Sequence, residues 1–336
     1  MLAGLSTPSR GARMRATTSR FASSIALLSL AGLLLFFVLA ADNFLTPLAL
    51  TNIASFAGVF GIIVVGVAIL MIGGEFDLSV GAILAVAGFL FAILLNAGLS
   101  ALLAGLCAVA AGALLGLING LVVVLTGIPS FITTLGTMLA FRGIARALGG
   151  GDYAKFSGDA PPLFALLNGP LTALNQAFTP AGNLRMSVFW FLSIAIIAAI
   201  VMGRMRFGNW VYAVGGNRDA ALAQGVPVQR IKLTLFVVSG LLAAFAGVVQ
   251  FAERGSIDPL RGQGWELMAV VACVIGGIPL TGGAGAVFGA VIGVFILQVL
   301  EQGLVLMGAS VQVFRAIVGV ILILSVMSTS WLSRTE

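Results

Sequence analysis

Two carboxylates break an otherwise uncharged stretch of this sequence: between Asn43 and Phe141 the only charged residues are Glu75 and Asp77. They sit in Gly73-Gly74-Glu75-Phe76-Asp77-Leu78-Ser79-Val80-Gly81, where glycines let the backbone leave helical geometry. Carboxylates at such a break are suited to holding a proton or a sodium ion, to gating, or to a subunit contact. The plainer reading is that Asp77 or Ser79 caps the following helix while Glu75 stays in water. A second set, Asn52, Ser55 and Phe56 in one apolar run and Thr133, Thr134 and Thr137 in another, offers amide, hydroxyl and aromatic surface to a polyhydroxylated solute. The same groups serve equally as hydrogen bonds between helices.

Other chemistries are excluded by composition. Histidine is absent, which removes imidazole acid–base catalysis, and Cys107 and Cys273 both fall inside apolar runs, away from any zinc-type spacing or disulfide framework. No Gly-x-x-x-x-Gly-Lys-Ser/Thr occurs, so any ATP that drives this protein is bound by another chain.

The elements that position these residues are membrane helices. The chain has 336 residues, 60% hydrophobic and 8% charged, with a mean hydropathy of +1.17. Its apolar runs are continuous over about twenty residues, as helices require, and do not alternate as barrel strands do. The expected fold is an all-α integral membrane protein of about ten spans, nine to eleven being compatible with the pattern. The spans are placed at 21–41, 48–72, 78–95, 100–125, 130–148, 187–203, 231–251, 265–278, 284–305 and 311–331. They form one transmembrane domain, 21–333, between an unstructured tail at 1–20 and a short end at 334–336. Val38-Leu39-Ala40 offers an alternative, a signal-peptidase site that would remove the first run. The fifth span, entered through Gly127-Ile128-Pro129, is the one whose placement the charge distribution leaves open, and the eighth is too short to cross alone. Gly112, Gly116 and Gly120, and likewise Gly285, Gly289 and Gly293, put small residues on one helix face for close packing within the chain or at a dimer seam. Ile72-Gly73-Gly74 and Ile275-Gly276-Gly277 echo one another, and Glu301 is placed to pair with Arg315.

The net charge of +6 is distributed as topology-setting charge. Arg10, Arg13, Arg15 and Arg20 precede the first run, and Arg204, Arg206, Arg218, Arg230 and Lys232 lie in one central loop, about 204–232. Both termini and this loop are therefore expected in the cytoplasm against anionic lipid, with no nucleic-acid partner, and 149–186 outside with small interfacial helices. Within the loop, Asp219-Ala220-Ala221, then Gly225 and Pro227, read as a short helix stopped by glycine.

Four ordered blocks carry a family resemblance: residues 73–81; Asn119-Gly120 with Ile128-Pro129-Ser130-Phe131-Ile132-Thr133-Thr134-Leu135-Gly136-Thr137; Tyr212-Ala213-Val214-Gly215-Gly216-Asn217-Arg218; and Ile275-Gly276-Gly277 to Gly282-Gly283. Over roughly residues 45–330 the chain resembles the permease subunit of ribose-type ABC sugar importers. The resemblance implies a type II-like bundle in the bacterial inner membrane that is not itself an enzyme. It also implies a second permease copy, identical or paralogous, a periplasmic sugar-binding protein, and cytoplasmic ATPase subunits that carry the ATP and magnesium. It makes Asn217, Arg218, Asp219, Ala220, Ala221 and Gly225 the ATPase-coupling helix, with Asp219 where the wider superfamily has Glu. Permeases for nucleosides or branched-chain amino acids, and an ion-coupled secondary transporter using Glu75 and Asp77, remain the competing readings.

Overall fold

The computed structural model describes residues 10–332 apart from residue 180. The start of the N-terminal tail and the 334–336 end lie outside the described residues. In chain order the elements are α1 (Arg10–Ala40), α2 (Pro47–Ile72), α3 (Val80–Asn96), α4 (Ala101–Thr126), α5 (Ser130–Leu148), β1 (Ala154–Lys155), α6 (Pro162–Asn168), α7 (Thr172–Gln176), α8 (Met186–Arg204), α9 (Arg206–Gly216), α10 (Arg218–Ala223), α11 (Val228–Arg254), β2 (Ser256–Ile257), α12 (Trp265–Ile275), α13 (Val287–Leu306) and α14 (Val311–Leu332). The strands are short and pair antiparallel, Ala154 opposite Ile257.

Local chemistry sets the helix ends. Thr46 caps α2 by accepting from the Ala49 amide, and Pro47 occupies a first-turn position where no amide is needed. Ser100 caps α4 in the same way, and α4 stops at Gly127, whose φ of 74° is open to glycine and costly for other residues. The Ile-Gly-Gly echo is real in geometry. Gly74 and Gly277 donate to the carbonyls of Met71 and Val274, each at 2.9 Å, and the next amides, Glu75 and Ile278, reach back to Leu70 and Cys273. Both helices thus end in the same glycine-terminated cap, at φ 81° and 88°.

The core is built around α2, whose residues are apolar all round and almost all buried, as befits a central helix. It packs against α8, α11, α12 and α13, while α4 packs on α11. The α4–α11 seam uses the glycine stripe: a Cβ on Gly240 would fall on the Gly112 carbonyl and within 2.9 Å of Gly116 Cα. A Cβ on Gly293 would strike the Ala272 carbonyl of α12, and one on Gly276 would strike the Gly289 carbonyl. Both stripes therefore serve packing within the chain.

Five helices, α2, α4, α8, α11 and α13, are long and apolar enough to cross a membrane. Among the described residues four shorter apolar helices join them, at Ser24–Ala40, Val80–Asn96, Trp265–Ile275 and Gln312–Leu324. Two expectations need correction. The tail is not unstructured from residue 10 onward, since α1 begins at Arg10; Ala, Arg and Met there favour helix. The expected Glu301–Arg315 pair is not a contact ion pair: the two charges interact without forming a salt bridge, and the Glu301 carboxylate lies 3.5 Å from the Gln298 amide nitrogen, one turn back on the same helix. At the other end of α1, Phe37 is sealed in the core against Gly303, whereas Val38, Leu39 and Ala40, the alternative cleavage stretch, are exposed.

A prediction follows from the seam. Gly240→Leu should destabilise the folded chain by about 1–3 kcal/mol or more through overpacking. Gly136→Ala, where a Cβ meets nothing within 4 Å, should leave it unchanged. Thermal unfolding in detergent, followed by size-exclusion monodispersity, checks both; equal behaviour of the two variants would refute the seam.

Candidate functional site

The break after α2 is the best-connected polar feature of the molecule. Ile72 is the last residue of α2, and its carbonyl accepts from the Gly283 amide at 2.8 Å. Beyond the cap, the Phe76 amide donates to Ser130 Oγ at 3.0 Å and the Leu78 amide to Thr134 Oγ1 at 3.1 Å. Thr134 in turn donates to the Ser130 carbonyl at 2.7 Å. The first turn of α5 therefore supplies the donors and acceptors that the unwound backbone needs.

Asp77 is fully buried. Its Oδ1 accepts from the amide and hydroxyl of Ser79, at 2.9 and 2.6 Å, and its Oδ2 from Ser239 Oγ of α11 at 2.8 Å. Ser79 Oγ in turn accepts from Asn119 Nδ2 of α4 at 2.8 Å. One carboxylate thus ties the α2–α3 turn to α4 and α11. Such a filled carboxylate is an anchor, with little capacity left to ligate an ion. Ser79 is the residue at the α3 N-cap position, yet its hydroxyl is spent on Asp77 and makes no capping bond to α3.

Glu75 does not remain in water. It is 6% exposed and forms an ion pair with Lys232 in the first turns of α11. Gly73 and Gly74 complete the site through close approach. A Cβ on Gly74 would meet Gly215 Cα of α9 at 3.2 Å, and one on Gly283 would meet Gly216 Cα at 2.5 Å. Gly81, on the far side of the turn, is pressed against the Gly262 carbonyl and lies beside the buried Glu266 carboxylate. Three glycine pairs, 73–74, 215–216 and 282–283, therefore meet backbone to backbone at one end of the bundle.

The α9–α10 unit is seated on this junction. Tyr212 of α9 donates its hydroxyl to the Gly285 carbonyl at 2.9 Å, and burial pushes its pKa up, which keeps it a donor. Asn217 caps α10 by accepting from the Ala220 amide at 2.9 Å. The helix stops as its sequence demands, with Gly225 at φ 78° and the Val226 amide returning to the Ala221 carbonyl. Ala221 faces inward and is buried, whereas Arg218, Asp219, Ala220 and Leu222 are exposed, Leu222 by 61%.

The residues read as a solute pathway divide into two groups. Asn52 and Ser55, with Thr51, seat Asn183: Thr51 Oγ1 accepts from the Asn183 amide, Asn52 Oδ1 accepts from its side-chain amide, and Ser55 Oγ donates to its carbonyl at 2.5 Å. Thr133 is buried with no hydrogen-bond partner for its hydroxyl, Thr134 serves the α2–α3 turn, and Thr137 donates to the Thr134 carbonyl at 3.3 Å. Phe56 is half exposed. Asn52 and Ile72 stand at opposite ends of α2, roughly 30 Å apart at about 1.5 Å per residue. The two groups are therefore not one site. Sequence reasoning missed Ser239, a lone serine in an otherwise apolar run, and counted Lys232 only as a topology-setting loop charge, not as the partner of Glu75.

A many-spanning helical membrane protein whose broken central helix carries a surface helix pair is the class that fold and site define. Comparison with known proteins makes this more specific. Residues 49–326 match the family described as branched-chain amino acid transport system / permease component. The chain is similar to the ribose import permease protein RbsC of Bacillus subtilis (strain 168), at 34% identity over 78% of each chain. It is similar to the L-arabinose transport system permease protein AraH of Escherichia coli (strain K12), at 32% over 78% of this chain and 76% of the relative. A third relative is the autoinducer 2 import system permease protein LsrC of Photorhabdus laumondii, at 34% over 76% and 74% respectively. No solved structure matches. The chain belongs to this permease family.

The ion pair yields a direct test. Lys232→Met strands a buried carboxylate and should cost about 3–5 kcal/mol, while adding Glu75→Gln should recover most of it. Unfolding of the single and double variants in detergent measures the coupling; additive losses would show that the pair does not hold the turn.

Proposed function

We propose that this chain is the membrane-spanning permease subunit of an ATP-driven importer for a monosaccharide, a ribose-like pentose or related sugar. The relatives named for ribose, arabinose and autoinducer 2 import support the substrate class. The observation that carries the mechanism is the seating of α10. It is exposed on one face, and the α9 helix before it touches the ends of α2 and the turn before α13 through glycine backbones. A push on α10 is thus delivered to the central helix without flexible side chains in between.

In this reading the chain makes ten crossings, counting α5 with the nine apolar helices, and both termini and the α9–α10 unit face the cytoplasm. The positive charges at Arg204, Arg206, Arg218 and Arg230 support that orientation. Two copies, or a copy and a paralogue, form the pathway. ATPase subunits holding ATP and magnesium dock on Asn217–Gly225, and a periplasmic binding protein docks on 149–186 and on 253–263. Alternating access follows from closure of the ATPases. The chain itself performs no catalysis. The family's description favours one second reading, a branched-chain amino acid as cargo. Asp77 argues against ion-coupled transport, since its oxygens already accept three hydrogen bonds.

Copurification from native membranes in mild detergent should bring down a P-loop ATPase whose hydrolysis is stimulated by a loaded binding protein. The double variant Arg218→Glu, Asp219→Lys should abolish that association and uptake while the chain still inserts, and pentoses should compete for uptake where leucine does not. Normal uptake in the double variant would sink the coupling assignment, and transport by the isolated chain without ATP would sink the importer reading.

A further inference from the structure

A cleft of about 110 Å³ opens between the end of α4, the start of α5, α10 and the start of α11. Its polar lining is Glu75, Ser130, Arg218, Gln229 and Lys232. Lys232 is committed to Glu75, so those two charges cancel. Arg218 makes no ion pair with any described residue and leaves the cleft with one unmatched positive charge. The N-terminus of α5 opens at Pro129 and Ser130, adding the partial positive charge of a helix of 19 residues. Ser130 Oγ accepts from the Phe76 amide and keeps its own hydrogen to donate.

We propose that this cleft binds the phosphate group of an anionic phospholipid. Charge alone would suit any small anion, but the rim decides between them. Leu125, Ile128 and Ile132, all exposed, continue from the cleft along α4 and α5 as an apolar surface on which acyl chains can lie. A basic, hydrogen-bonding pocket joined to an exposed apolar face matches a lipid, in which headgroup and chains are one molecule. A free phosphate or an acidic side chain would leave that apolar flank unused. The site needs only that the chain resides in a bilayer; Arg218 also belongs to the segment proposed to dock the ATPase, and lipid binding by the chain alone is read without that partner. Because Arg218 belongs to α10 and Glu75 to the α2–α3 turn, a lipid here would bridge the two.

Native mass spectrometry of the full chain in detergent, titrated with phosphatidylglycerol, phosphatidylcholine or inorganic phosphate, tests this. One phosphatidylglycerol should bind more tightly than phosphatidylcholine, and inorganic phosphate should not displace it. Arg218→Gln should weaken that binding about tenfold, the loss of one charge-assisted contact. Arg206→Gln, which alters an exposed arginine outside the cleft, should not. Displacement by inorganic phosphate would make this a free-anion site, and equal loss in both variants would make the attraction diffuse. Equal binding of the two lipids by the unaltered chain would overturn the proposal whatever the variants do.

Discussion

A chain that leaves helical geometry inside an apolar bundle must find a partner for every backbone group it frees, because neither water nor lipid will serve. That constraint explains residues 73–79 almost group by group. The first three amides turn back to α2, the Phe76 and Leu78 amides take hydroxyls from α5, and the Ser79 amide takes Asp77. The Ile72 carbonyl takes the Gly283 amide. Asp77 then needs donors of its own, which fixes a serine on α11 and, through Ser79, an asparagine on α4. Polar residues scattered across three helices and one turn thus have one cause.

The same break makes a mechanical junction. Cβ atoms are missing where α9, α2 and the turn before α13 touch, so these elements abut as rigid backbone. Glu75 and Lys232 add an ionic tie from the turn to the base of α11. On the other side, Arg142 of α5 donates to the carbonyls of Pro259 and Arg261, at 3.0 and 2.7 Å, so α5 is held both at the break and at the loop before α12. A displacement at α10 therefore has a short, stiff route into α2 and a longer, hydrogen-bonded one into α5.

Much of this was legible in the sequence, for physical reasons that also show where legibility ends. Long apolar runs, capping hydroxyls and terminating glycines are local signals, and they placed α2, α4, α8 and the short α10 correctly. The repeated Ile-Gly-Gly marked two identical helix ends because that cap has a fixed chemistry. A solvated Glu75 is the plainer reading of the sequence because its partner, Lys232, is distant in sequence and leaves no periodic trace beside it. Thr134 carries two readings in the sequence, solute contact or structural hydrogen bond, because a hydroxyl in a span looks alike whether it meets a solute or a backbone amide; only the position of the α2–α3 turn decides for the second. The α9 helix, rich in glycine, was hidden by its low helix propensity, and packing on the junction restores it.

The central claim is that α9–α10 and the glycine junction move as one body relative to α5. Spin labels at Leu222→Cys on α10 and Leu280→Cys in the turn after α12, both exposed, report the junction. A second pair, Leu222→Cys with Leu139→Cys, reports α5, with the exposed Cys107 replaced by serine in both. Pulsed dipolar spectroscopy on the proposed complex of this chain with an ATPase, with and without ATP, should show an unchanged distance for the first pair and a shifted one for the second. A shift confined to the first pair would contradict the account, since α10 would then be moving away from the helices it is held to drive.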